Sequence, residues 1–136
     1  MVLDKKYKLT LFPPIPEDKI YPLRSKMEKS FKCAVPDEYS KLFSITNGML
    51  FDNVVFYGDK EQKRIDYELP SIFEINEVFE RIGVGEKFII GKWLNLLIIY
   101  DGLEMKYKIV SKINLMENES FTSIYELIKY LKNIVE

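Results

Sequence analysis

Residues 87–110, KFIIGKWLNLLIIYDGLEMKYKIV, predict an antiparallel meander, and this stretch decides the fold. Up to three strands are expected, over Lys87–Ile90, Leu94–Tyr100 and Met105–Val110. The last two flank Asp101-Gly102, a pair that favours tight hairpins. Leu96 to Tyr100 is apolar at every position, which is typical of a central strand that is buried on both faces.

The third strand of the meander alternates between apolar and charged residues. Its apolar positions, Met105, Tyr107 and Ile109, are separated by Lys106 and Lys108. Because successive side chains of a strand point to opposite faces, we expect one face to be buried and the other to be solvated.

Two helices are predicted in the first third of the chain. The first is expected to begin near Pro22, since proline is tolerated at the first helical position. The second begins at Pro36 and ends at Asn47-Gly48, a pair that can form a left-handed cap. Their apolar stripes consist of Ile20, Leu23, Met27 and Phe31 in the first helix, and Tyr39, Leu42, Phe43 and Thr46 in the second.

Two further helices are predicted by capping boxes, in which a serine and a glutamate three residues later satisfy each other's backbone amides. The boxes pair Ser71 with Glu74 and Ser123 with Glu126. The stripes that follow are Ile75, Val78, Phe79 and Ile82 after the first box, and Leu127, Ile128, Leu131, Ile134 and Val135 after the second. Short strands are expected at residues 8–11 and 53–57, with a polar loop at residues 59–64.

Helices first, strands in the middle and a helix last indicate an α+β fold. We expect a central, mainly antiparallel sheet flanked by N-terminal helices and a C-terminal helix. A chain of 136 residues is too short for two self-sufficient cores, so residues 1–136 are interpreted as a single domain.

The residue types that most enzymes depend on are scarce. The chain contains no histidine, which removes the usual general base and the commonest metal ligand. Its one cysteine, Cys33, can neither form an internal disulfide nor build a zinc site. Residues 85–92 resemble a phosphate-binding loop, but five residues instead of four separate the glycines, and Trp93 replaces the Ser or Thr that would hold magnesium. We therefore predict no catalytic, cofactor-binding or metal-binding residues, and an enzyme that uses carboxylates alone stays a minor alternative.

Charge and hydropathy indicate neither a nucleic-acid partner nor a membrane. Lys and Arg number 20 and Asp and Glu 21, so the net charge is -1. The longest apolar run, Leu96–Tyr100, is far shorter than the roughly 20 residues that span a bilayer. Lysines near the N-terminus interrupt any secretory signal. We expect a cytoplasmic chain whose partner is another protein, and its oligomeric state is left open.

Residues 66–80 carry five carboxylates and no Lys or Arg. We call these carboxylates the acidic ridge; they are Asp66, Glu68, Glu74, Glu77 and Glu80. Like charges three residues apart on a helix cost roughly 0.2 to 0.5 kcal/mol per pair, so the ridge favours a basic partner, although an ordinary solvated face has the same pattern. Tyr57, Trp93 and Tyr100 are candidates for aromatic interface anchors, or else they are core residues.

The order of these signals resembles the SUKH superfamily, over residues 17–135. Its strongest part is residues 35–48, VPDEYSKLFSITNG, which is similar to the family's Leu-Pro, aromatic, apolar-pair and Asn-Gly pattern. Further similar stretches are residues 55–58, 88–91, 99–101 with Tyr107, and 121–127. The family-motif residues by this resemblance are Pro36, Tyr39, Asn47, Gly48, Gly58 and Tyr100. The chain departs from the pattern at Val35, at Pro22 and at residues 93–95, which leaves the subfamily open.

The resemblance implies an α+β domain with a central antiparallel sheet, no known catalytic residues and a role in binding. Bacterial members typically neutralise a cognate toxin of a polymorphic or contact-dependent system, often a nuclease or a deaminase. The acidic ridge would suit a basic toxin of this kind. The alternative is an intracellular regulatory adaptor, similar to the fungal members that regulate cell-wall glucan synthesis.

Overall fold

A sheet of seven antiparallel strands forms the centre of the computed structural model, which describes residues 9–63, 68–78 and 86–135. The strand order is β1-β2-β3-β6-β7-β8-β9, and β4 pairs with β5 in a separate two-stranded hairpin. The strands are β1 (Thr10–Leu11), β2 (Met49–Phe51), β3 (Val54–Phe56), β4 (Gln62–Lys63), β5 (Glu68–Leu69), β6 (Lys87–Trp93), β7 (Leu96–Asp101), β8 (Lys106–Ser111) and β9 (Glu117–Phe121).

Two helices follow β1, a third lies between β5 and β6, and a fourth follows β9. They are α1 (Glu17–Phe31), α2 (Asp37–Leu42), α3 (Ile72–Val78) and α4 (Ile124–Val135). The predicted α+β class, with a mainly antiparallel sheet between N-terminal helices and a C-terminal helix, is confirmed.

A row of aromatic side chains crosses four adjacent strands on one face of the sheet. The register places Phe88 opposite Tyr100, Tyr100 opposite Tyr107 and Tyr107 opposite Phe121. Helices cover this row with rings of their own: Phe31 of α1 stacks on Phe88 at 4.9 Å between centroids, and Tyr130 of α4 lies 5.1 Å from Phe121. The α4 residues Ile124, Leu127 and Leu131 are fully buried. Aromatic burial therefore fixes the helices to the sheet.

The start of α1 differs from the prediction at Pro22. The helix begins at Glu17 and runs through Pro22 without ending there. Proline costs the helix one hydrogen bond, which would have joined its missing amide to the Asp18 carbonyl. Two factors favour the longer helix: Glu17 and Asp18 suit the positive N-terminus, and Ile20 packs against the core.

The third strand of the meander also differs from the prediction, because both of its faces are buried. Tyr107 and Ile109 are buried as expected, but so are Lys108 and Val110 on the other face. Met105 is instead 71% exposed, in a four-residue turn at 102–105 that replaces the expected tight Asp-Gly hairpin. Asp101 explains this turn, since its Oδ1 accepts hydrogen bonds from the amides of Leu103 and Glu104.

Several shorter elements were missed or misplaced. β2, β9 and the β4–β5 hairpin were not predicted, and residues 94–95 form the β6–β7 turn instead of starting a strand. The predicted stripe positions Val78 and Ile134 are exposed, while Phe79, Ile82 and the end of that helix lie outside the described residues. These short strands form because they pair with strands far away in the sequence. The spacing of hydrophobic residues within a segment does not show such pairing.

Candidate functional site

The acidic ridge is only partly a free surface. Glu68 on β5 lies 3.8 Å from the ammonium group of Lys63. Glu74 forms the predicted capping box, since its Oε1 accepts from the Ser71 amide at 3.0 Å while Ser71 Oγ accepts from the Glu74 amide at 3.1 Å. Glu77 is exposed on α3, and Asp66 and Glu80 lie outside the described residues. Two of the three described ridge carboxylates therefore have local structural partners.

A lysine also lies beside the ridge. The Lys26 ammonium of α1 is 4.3 Å from the ring centroid of Phe73, whose helix carries Glu74 and Glu77. This cation–π contact brings positive charge to the same helix. Replacing Glu74 by lysine would remove the capping box at α3.

Tyr57 is not an interface anchor, because it is 4% exposed and belongs to the core. Burial raises the pKa of its hydroxyl to about 12. Tyr100 is 5% exposed and lies in the aromatic row of the sheet. Of the three aromatic candidates, Trp93 alone is partly exposed, at the end of β6.

The family-motif residues around Asn47 hold two chain segments together. Asn47 Nδ2 donates to Asp59 Oδ1 at 2.6 Å, and the Asp59 amide donates back to Asn47 Oδ1 at 2.9 Å. Gly48 has φ +92°, and a Cβ there would lie 2.8 Å from the Phe56 carbonyl oxygen. A Cβ on Gly58 would collide with the Asn47 carbonyl. Glycine is therefore required at both positions of this crossing.

The other motif residues pack or begin a helix. Pro36 caps α2 with φ -58° and ψ 143°, outside the helix instead of at its first position. Tyr39 is 2% exposed, and burial raises the pKa of its hydroxyl. A void of about 10 Å³ beside Tyr39 and Gly48 has room for about one water molecule. The motif thus maintains the fold and encloses no ligand-sized cavity at this place.

The surroundings of Cys33 do not favour the thiolate that a nucleophilic cysteine requires. The residue is 4% exposed, and its Sγ donates to the Glu86 carbonyl oxygen at 3.2 Å. The pKa of the thiol is raised to about 11, mainly by burial and to a smaller extent by the negative charge of Glu86. The thiol is therefore protonated at neutral pH.

Lys108 is the centre of a partly buried charge network between β7, β8 and β9. Its Nζ lies 3.0 Å from Asp101 Oδ2, 2.5 Å from Glu104 Oε2 and 3.3 Å from Glu117 Oε1. Burial opposes the charged form of Lys108, but the hydrogen bonds to Glu104 and Asp101 outweigh burial and raise its pKa. This ammonium is an ion-pair partner and has no chemical role as a base.

One end of the large sheet exposes aliphatic side chains. The β6–β7 turn and the β8–β9 loop both lie there, since Leu96 pairs with Ser111 at the ends of β7 and β8. β6 and β8 are both neighbours of β7, so these two connections are about 10 Å apart. We call this region the sheet-end surface; it consists of Trp93, Leu94, Ile113, Leu115 and Met116.

The sheet-end surface is apolar and exposed. Ile113 is 84% exposed, Met116 69%, Leu94 57% and Leu115 37%. Exposed polar residues surround it: Asp52, Asn53, Asn95, Lys112 and Asn114. An apolar patch with a polar rim is typical of a protein interaction site.

Two leucines of this surface also have a strained backbone. Leu94 has φ +56° and Leu115 has φ +60°. The left-handed region costs a residue with a Cβ roughly 1 to 2 kcal/mol, and glycine or asparagine is normally found there. The fold thus holds two aliphatic side chains in solvent at positions where they also strain the chain.

Sequence reasoning identified one member of this surface, Trp93. The ridge and Trp93 do not form one site, because α3 packs near Ile89 whereas Trp93 lies four residues further along β6, about 13 Å away. The signal that was missed is local: leucine and isoleucine occupy turn positions at 94 and 113, where polar residues are usual.

Comparison with protein-family models and with curated proteins gives no match for this chain. The SUKH resemblance therefore stays a prediction from the motif residues. Among the helices in residues 9–63, 68–78 and 86–135, none combines the length and the hydropathy that a membrane span requires. The same residues contain no group of three or more Cys, Asp or Glu side chains that could hold a metal ion.

Proposed function

We propose that this chain is a non-enzymatic binding protein, and that it acts as an immunity protein which neutralises a cognate bacterial toxin by direct contact. The observation that carries the proposal is the sheet-end surface, where exposed aliphatic residues are kept in turns at a cost in backbone energy. The SUKH resemblance implies that the partner is a toxin of the nuclease or deaminase type.

The architecture behind the sheet-end surface supports recognition by a rigid surface. Leu97, Ile98, Ile99 and Val110, which are buried, connect the surface to the centre of the sheet. The Leu94 amide also donates to the Asn53 carbonyl at 3.2 Å, which joins the β6–β7 turn to the β2–β3 turn. Turns held in this way lose little conformational entropy when a partner binds, and preorganisation of this kind increases affinity.

Co-expression tests the proposal directly. The chain is produced in bacteria together with the toxin domain expected from the gene immediately upstream, and growth and co-purification are measured. We expect rescue of growth and a stable complex. Absence of both rescue and a complex would falsify the toxin-neutralising function.

A matched pair of variants tests the surface. Ile113→Asp places a charge on an 84% exposed residue of the sheet-end surface, and Val78→Asp does the same to a 73% exposed residue on α3. Both residues are exposed, so neither variant should unfold the chain. We expect Ile113→Asp to weaken the complex at least about tenfold and Val78→Asp to leave it unchanged. The reverse order would assign binding to the α3 side.

A further inference from the structure

The outer edge of β9 has no neighbouring strand in the described part of the chain. β9 is the last strand of the sheet order, and its partner β8 occupies one side only. A strand at the edge of a sheet directs a row of N–H and C=O groups outward, ready to pair with another strand. The first three residues of β9 are exposed in addition, so the edge is accessible.

A bulge gives this edge a carboxylate on each face of the sheet. Glu119 pairs with Ile109 and Glu117 pairs with Val110, so Asn118 is an extra residue on β9. Glu117 points to the face of Lys108, 3.3 Å from its ammonium. Glu119 points to the face of α4. Burial raises the pKa of Tyr130 on that helix, and the negative charge of Glu119 raises it further.

In the ion-pair network beside this edge, three carboxylates outnumber two ammonium groups. Three carboxylates, from Asp101, Glu104 and Glu117, surround Lys108, and Lys87 adds a second ammonium 4.0 Å from Asp101. Glu119, on the other face, has no ion pair among the described residues. Like charges on directly opposed strand residues are destabilising, so a second copy of this edge would be repelled.

We propose that the β9 edge binds an extended segment of a partner protein that carries Lys or Arg on both of its faces, by adding that segment to the sheet as an eighth strand. Main-chain hydrogen bonds supply affinity in this mode, and side-chain pairing selects the sequence. The inference rests on the proposed function in one respect, since the segment would belong to the toxin.

A peptide titration tests strand addition without the toxin. The ¹⁵N-labelled chain is titrated with acetyl-Val-Lys-Lys-Thr-Val-Lys-Lys-Thr-amide, and amide shifts and hydrogen exchange are recorded. We expect the largest shifts at residues 117–121, with exchange of the outward amides slowed at least about tenfold. Shifts confined to other parts of the surface would overturn the inference.

Two control peptides separate strand addition from attraction between charges. The same peptide with N-methyl groups on alternate residues keeps its charge but cannot donate along one edge, and we expect binding at least about tenfold weaker. A peptide with Glu in place of Lys should produce no shift. Equal binding by the N-methylated peptide would show that main-chain pairing is absent.

Matched charge reversals complete the test. Glu119→Lys should weaken binding of the lysine peptide at least about fivefold, whereas Glu77→Lys on α3 should not change it. Equal effects of the two variants would contradict the assignment to β9. If the chain rescues cells from the toxin but does not bind the peptide, the proposed function stands and strand addition at β9 is contradicted. If it binds the peptide but does not rescue cells, strand addition stands and the toxin-neutralising function is contradicted.

Discussion

Asn76 takes the place of a neighbouring strand beside β6. β3 ends at Phe56, which pairs with Gly91, so the backbone of Ile89 has no partner on that side from β3. The Asn76 side chain, 8% exposed, accepts from the Ile89 amide at 2.7 Å and donates to the Ile89 carbonyl at 3.0 Å. A buried amide thus satisfies two main-chain groups that would otherwise be buried without hydrogen bonds.

Asn76→Ala should therefore lower the free energy of unfolding by about 2 to 3 kcal/mol, because it leaves a buried donor and a buried acceptor unsatisfied. Urea unfolding measures the change. Glu77→Ala, one residue further on the exposed face, is the control and should stay within about 0.5 kcal/mol of wild type. Equal stability of the two variants would show that Asn76 does not replace a strand.

Asp101 makes stability depend on pH at the acidic end. Its burial opposes ionisation, but the Lys108 ammonium and the amides of Glu104 and Leu103 outweigh burial and hold its pKa below the usual range. A group whose pKa is lower in the folded state contributes stability above its unfolded pKa of about 3.9 and loses it as pH falls through the folded pKa. Unfolding free energies at pH 7 and pH 3 should differ less in Asp101→Asn than in wild type. An unchanged difference would exclude Asp101 as a source of the pH dependence.

Leu94 offers a test in which stability and binding change in opposite directions. Leu94→Asn should raise the free energy of unfolding by about 0.5 to 1 kcal/mol, since asparagine tolerates positive φ better than leucine. The same variant should weaken the toxin complex, because a 57% exposed aliphatic contact is removed. Loss of stability in urea unfolding would mean that Leu94 serves the fold.

At the scale of elements, Glu38 of α2 caps α4 across 86 residues of sequence. Its Oε2 accepts from the Ile124 amide at 2.6 Å. The predicted capping box at α4 is incomplete: Ser123 Oγ accepts from the Tyr125 amide, whereas Glu126 accepts from the Thr122 hydroxyl. A carboxylate at a helix N-terminus satisfies a free amide and suits the positive end of the helix.

Glu38→Ala should lower the free energy of unfolding by about 1 to 2 kcal/mol, which is the usual cost of a lost cap. Glu126→Ala is the matched control on the exposed side of α4 and should change stability by less than about 0.5 kcal/mol. Thermal and urea unfolding measure both variants. A larger loss of stability in Glu126→Ala than in Glu38→Ala would show that Glu126, and not Glu38, caps α4.

Elements with local causes were predictable from the sequence. The Ser71 and Glu74 box, the acidic start of α2 and the apolar run of β7 each result from neighbours in the chain, and each was predicted. The partners of Lys108 and Asn76 were not predicted, because strand pairing and helix packing bring them together. A lysine looks solvated in a sequence until the fold places carboxylates from neighbouring strands and a turn around it.

The candidate site was less predictable than the fold. The sequence predicts Trp93 as an aromatic candidate, but it places Leu94 in a strand and indicates no role for residues 113–116. Their significance comes from exposure and backbone conformation, which depend on where β6 and β8 end. Tyr57 was a candidate anchor in the sequence, but it is buried in the core. Its burial depends on packing between elements, which the sequence does not show.

For the whole molecule, the fold presents two accessible features on a sheet that the helices support. The sheet-end surface supplies apolar contacts, and β9, which begins next to Met116, supplies acidic side chains and an edge with no neighbouring strand among the residues that the structure describes. The two are continuous along the β8–β9 hairpin. One partner could therefore contact both at once.

Hydrogen exchange of the complex with the upstream-encoded toxin tests this account most directly. Amides in the free and bound chain are compared by mass spectrometry over the peptides that cover α1, α2, the sheet-end turns and β9. We predict that protection on binding is concentrated at residues 93–95 and 112–121. Protection concentrated at residues 17–45, with no change at the sheet-end turns, would contradict the account.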